Sequence, residues 1–144
     1  MKKLSLSAFT LFLSIFVFSS VAIAERSPLP PLHEEVIGAW KLVKINDILP
    51  YHQAYLYITA ENMFARTGCN HLFSTITWFD QDFWEIDPVS TTRMDCAGTR
   101  ELQELLILNT LKSGANISYQ DDEKQLIIQE SENVLTYNKI SESN

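Results

Sequence analysis

Two cysteines constrain this chain more than anything else in it. Cys69 and Cys96 are its only cysteines, 27 residues apart. They sit in Thr67-Gly68-Cys69-Asn70 and in Thr92-Arg93-Met94-Asp95-Cys96, at either end of a stretch that reads as strand and turn. A pair of cysteines in an exported chain most often forms one disulfide. Closing a loop of this length is worth roughly 3–4 kcal/mol on the chain-entropy account, a large share of a small domain's net stability. The rival uses fit poorly. There is no Cys-x-x-Cys for redox exchange, and no histidine pattern lies nearby to complete a zinc set.

Export itself is read from the first residues. Lys2 and Lys3 precede a mostly apolar run from Leu4 to Ile23, and Ala22-Ile23-Ala24 offers the small residues that signal peptidase requires. Residues 1–24 are therefore expected to be a cleaved signal peptide, with no stable membrane anchor afterwards. The expected location is the periplasm or the medium. Cleavage leaves 120 of the 144 residues, enough for one domain. Lys plus Arg falls from 11 to 9 while Asp plus Glu stays at 18, so the mature net charge is −9. Phosphate backbones call for basic patches that this chain lacks, which argues against nucleic acid as a partner.

Residues 25–35, with Pro28, Pro30 and Pro31, read as a Pro-rich N-terminal tether. A single domain is expected over residues 36–140, followed by a short tail at 141–144. Its first strand starts at Gly38, where Trp40, Leu42 and, less cleanly, Ile45 share a face. Tyr55 to Thr59 and Met63 to Arg66 follow as strands. His71 to Asp80 alternates with large apolar groups on both faces, which suits a closed or strongly curved sheet. Phe83 to Ile86 pairs back and ends at Asp87-Pro88. Thr99 to Ser113 is the expected helix, with Thr99 as N-cap, Gly114 at its C-terminal end, and an apolar stripe of Leu102, Leu105, Leu106, Ile107 and Leu111. Gln103 and Glu104 are assigned to the polar side. Three more strands, 116–119, 125–129 and 134–139, complete the chain. The sum is an α+β domain: a strongly curved, mostly antiparallel sheet of about seven or eight strands packed by one helix.

The pattern offers no catalytic constellation. His33, His52 and His71 have no spacing that would converge on a metal. No Gly-x-Ser-x-Gly elbow is present, and four ungrouped glycines exclude a phosphate-binding loop. No catalytic residue, cofactor site or metal site is assigned. The candidate partner contacts are His71, Trp78, Phe83, Trp84 and Arg93, with the Trp78–Trp84 hairpin expected to present an aromatic patch.

Taken together, Gly68-Cys69-Asn70, Thr92-x-Met94-x-Cys96, the helix from Glu104 through Ile107 to Leu111, and Gly38-x-Trp40-x-Leu42 resemble the META domain family, to which HslJ-type heat-shock-associated lipoproteins belong. The resemblance spans about Val36 to Ile140. It departs at Ala65, Ser74, Ile76 and Asp95, and the chain has no lipid-attachment cysteine. It implies scaffold roles for Gly68, Asn70, Thr92 and Met94. It further implies a bacterial envelope protein tied to stress tolerance, secretion or virulence, with no agreed enzymatic activity. The expected reading is a non-enzymatic monomer acting through an envelope or secreted protein partner. The similarity of this family to a secretin pilotin implies an alternative, a small apolar ligand, lipid or peptide held in a cleft between helix and sheet.

Overall fold

A computed structural model describes residues 31–79 and 82–141. The expected signal peptide, residues 25–30 of the expected tether, and residues 142–144 of the tail lie outside the described residues. Strands β1 (Gly38–Ile45), β2 (Tyr55–Ile58), β3 (Asn62–Arg66), β4 (His71–Trp78), β5 (Phe83–Ile86), β6 (Ser90–Thr91), β7 (Ala115–Gln120), β8 (Gln125–Glu130) and β9 (Asn133–Lys139) accompany two helices, α1 (Pro31–Val36) and α2 (Thr99–Lys112).

All pairings are antiparallel, and they run in a ring. β1, β2, β3, β4 and β5 pair in sequence, β5 pairs with β7, β7 with β8, β8 with β9, and β9 returns to β1. The sheet is thus a closed barrel wrapped around its own core. β6 continues along the β4 edge beyond β5, after the cis Asp87–Pro88 bond. Closure leaves the principal strands with neighbours on both sides, the most complete protection a sheet can give its edges. The closed or strongly curved sheet expected from the alternation on β4 is thus a closed one.

Alternation along each strand fills the interior. On β4, Leu72, Ser74 and Ile76 point in while His71, Phe73, Thr75 and Thr77 point out. Trp40, Trp84, Tyr137, Leu42, Leu56, Met63, Leu126 and Leu135 fill the centre. Large side chains on both faces of β4 thus mark a barrel wall, as the sequence pattern indicates. β1 breaks its own period. A bulge between Leu42 and Lys44 places an extra residue opposite β9, so Leu42 and Ile45 both turn inward across an odd spacing.

Both helices pack on the barrel, α2 along several strands and α1 at one end. α2 runs from the end where β2 and β4 begin and packs on β5, β7, β8 and β9. α1 sits at the other end, where β1 begins, and packs on β7. Residues 31–35 are therefore part of the fold and not a tether. His33 and Val36 are fully buried, His33 stacks on Trp78 at 4.3 Å, and the Val36 carbonyl accepts the indole N–H of Trp40 at 2.8 Å. Pro31 opens a one-and-a-half-turn helix, since proline is well tolerated in a first turn.

Candidate functional site

The cysteine-bearing turn between β3 and β4 is held by an unusually complete polar network. Thr67 N–H donates to the Asn70 carbonyl at 3.0 Å, and Cys69 N–H donates to the Thr67 hydroxyl at 3.2 Å. Gly68 has φ +97°, and a Cβ there would lie 2.8 Å from both Gln103 Nε2 and His52 Cβ. Only glycine meets both demands.

Asn70 is the hub. Its side-chain amide donates to Glu104 at 3.0 Å, and its Oδ1 accepts from the Thr92 hydroxyl and from Met94 N–H, both at 2.8 Å. The same Glu104 carboxylate accepts the Asn70 backbone N–H at 3.0 Å and faces the Thr67 hydroxyl at 3.2 Å. Thr92 in turn accepts His71 N–H at 3.0 Å. Beside this hub, Gln103 is fully buried and saturated. Its Nε2 donates to the carbonyls of Thr67 at 2.6 Å and His52 at 3.0 Å, and its Oε1 accepts His52 N–H at 3.0 Å. Buried polar groups of this kind are retained when every partner is present.

The disulfide Cys69–Cys96 clips the same knot, with the two Cα atoms 6.2 Å apart. The sulfurs and a Glu104 oxygen lie within 4.8 Å of one another. Joined to each other, the sulfurs are not the thiolates that bind metals, and Glu104 is occupied by Asn70 and Thr67. The cluster is a covalent and hydrogen-bonded clasp between the β3–β4 turn, the 92–96 loop and α2.

α2 itself faces differently from the expected stripe. Gln103, Ile107, Thr110 and Leu111 are its buried residues, whereas Leu102 and Leu105 are 47% and 48% exposed. Gly98 precedes the helix and no side-chain cap bonds its N-terminus, so Thr99 is its first residue and not its N-cap. Gly114 follows the helix with φ +78°, against the Phe83 ring.

The expected partner contacts separate. Trp84 is fully buried and lies in the core, so it is not a surface contact. Trp78 shares its inward face, 5.7 Å away ring to ring, and donates its indole N–H to the Ala60 carbonyl at 2.8 Å. Phe83 is half-buried against Phe79, itself 52% exposed. The hairpin register places both tryptophans inside, so among its described residues Phe79 and Phe83 are the aromatic groups left toward the surface. Arg93 is exposed on the loop. His71 is exposed on the outer wall, where sequence inspection missed its company.

That company is a grid on β2, β3 and β4. Tyr57, Phe64 and Phe73 are cross-strand partners in one outward row, and Tyr55, Arg66 and His71 form the next. Rings of Tyr57 and Phe64 are 5.8 Å apart, those of Phe64 and His71 5.5 Å, and the Arg66 guanidinium lies 5.9 Å over Tyr55. Phe73 is 50% exposed and Tyr57 37%. The lower row opens on a groove of about 370 Å³ that reaches the Gly68–Asn70 turn and the Met94 side chain. On the far side of the molecule, Lys124 bonds to Asp121 and holds that carboxyl below the usual carboxylate range, through the hydrogen bond first and charge attraction second.

The space between α2 and the sheet is occupied by Ile107 and Leu111 and the core they join, so it is packed where the cleft reading needs room. Among the described residues no helix is long and apolar enough to cross a membrane, and the Cys69–Cys96–Glu104 clasp is the one convergent group of metal-ligand type.

No curated protein sequence matches the chain. A solved NMR structure of a protein from Burkholderia xenovorans is similar in fold, with TM-score 0.60 at 16% identity over 89% of this chain and 100% of that one. The META domain model matches residues 34–142, a span that takes in the barrel, α2 and the clasp, and the chain accordingly belongs to the META domain family.

Proposed function

We propose that this protein is an exported, non-catalytic, monomeric contact module of the bacterial envelope, supporting stress tolerance or virulence by holding a protein partner. The observation that carries the reading is the outer wall of β2, β3 and β4, where Tyr57, Phe64 and Phe73 stand side by side on a rigid barrel. Aromatic side chains grouped on a surface favour association, and a closed barrel presents them without an ordering cost. The packed interior speaks against a carrier between helix and sheet.

The test is a photo-crosslinking amino acid placed at Phe73 in producing cells, with Gln129 on β8 as control. β8 lies on the opposite side of the ring. A discrete adduct with one envelope protein from position 73, and none from 129, is expected. Loss of that adduct, or an equal adduct from both positions, overturns the proposal.

A further inference from the structure

The groove at the foot of the aromatic wall has a charge opposite to that of the molecule around it. The chain carries 18 acidic against 11 basic residues. Yet the groove is lined by Arg66 and His71 and by no carboxylate. Among the described residues Arg66 forms no salt bridge, and its guanidinium lies over Tyr55, leaving its donors for a ligand. We infer that this groove, bounded by Tyr55, Tyr57, Arg66 and His71, binds an acidic segment of another polypeptide, with a carboxylate on Arg66 and an apolar side chain against the aromatic rows. The inference rests on the contact reading above and names the class of partner.

Three features select a peptide. Arginine presents a planar fork that matches a carboxylate in a bidentate pair. The wall rings are tilted to one another by 43° and 59°, which leaves wedges for aliphatic or aromatic side chains and not the level platform that a sugar face requires. Met94, 55% exposed at the groove's end, adds a flexible apolar contact of the kind that adapts to varied side chains. The floor is rigid as well, because the Asn70 turn beneath is tied to Glu104 and to Cys96. The exposed guanidinium of Arg66 fixes where on the wall a carboxylate can dock, because like charge on the rest of the acidic surface disfavours it there.

The test uses the mature, oxidised protein and a fluorescein-labelled dodecapeptide alternating Glu with Leu and Phe, followed by anisotropy and two-dimensional amide NMR. Shifts confined to β2, β3, the start of β4 and the Met94 loop are expected. The same peptide with Gln for Glu is expected to bind about tenfold more weakly, and Arg66→Gln to weaken the Glu peptide by a similar factor. Arg66 is exposed on the outer wall, and Tyr57→Ser supplies a second variant that removes ring surface without touching charge. Equal binding of the Glu and Gln peptides, shifts on another face, or no binding overturns the inference. So does stronger perturbation of the same resonances by polygalacturonate, which would make the ligand an acidic glycan. A discrete crosslink from position 73 together with failure of the Glu peptide removes the acidic class and leaves the contact reading standing.

Discussion

Asn70 must satisfy two donors and an acceptor on its side chain while almost wholly buried, and it does so on two separate stretches of chain. Glu104 is the counterpart. Replacing it with Ala leaves the Asn70 N–H without an acceptor and its side-chain amide with, as oxygen acceptor, only the long contact to the Met94 carbonyl at 3.5 Å, at a cost of about 1–3 kcal/mol for the buried groups. Urea denaturation of Glu104→Ala is expected to show that loss with the disulfide intact, and Glu104→Gln is expected to recover only part of it because its amide presents donors toward donors. Gln103 and Glu104 are hidden from a pattern-based assignment for a plain reason. A polar residue on a helix scores as solvent-facing, and nothing local to α2 reveals that carbonyls of His52 and Thr67 wait opposite it. The glycine and asparagine of the turn are more legible, since both residue types have local backbone reasons to occur there.

At the scale of elements, α2 is legible in extent but not in orientation. Leu102, Leu105, Leu106, Ile107 and Leu111 suggest a broad apolar stripe, yet the buried face carries Gln103 and Thr110. Leu111→Ala is expected to cost about 2–5 kcal/mol, while Leu105→Ala is expected to stay within about 0.5 kcal/mol. Equal losses in thermal unfolding would contradict the assigned face. α1 was legible as a proline-rich segment only; its helix exists because His33 and Val36 have the barrel end to cover. The strand positions agree closely with the alternation in the sequence, because a barrel wall buries one side of nearly every strand and period two survives. β1 departs from it at the bulge, where the inward spacing changes from two to three.

The whole molecule is a ring closed by β1 on β9 and clasped by one covalent bond. Reducing Cys69–Cys96, or replacing both with Ser, is expected to lower unfolding stability by about 3.5 kcal/mol through the freed loop, measured as a shift in urea midpoint. The core also sets a limit on alkaline stability. Burial alone pushes the Tyr137 phenol above its ordinary range. In the unfolded chain that phenol ionises near pH 10, about its model value, whereas the folded state keeps it neutral. Its contribution is complete below about pH 10 and is lost as pH rises further. Stability is expected to fall with a slope above that pH, and Tyr137→Phe to remove part of the slope.

Sequence alone determined the number and rough bounds of the main strands, the long helix, the cysteine-bearing turns and the curvature of the sheet. These follow from local periodicity, turn chemistry and residue volume, which each segment carries with it. Tertiary structure alone decided that the ring closes, that α1 plugs one end, that both hairpin tryptophans point inward, and that Tyr57, Phe64 and Phe73 form the exposed wall. Each of those depends on which strands become neighbours and in what register, and a pairing between residues far apart in the chain has no signature in either partner by itself.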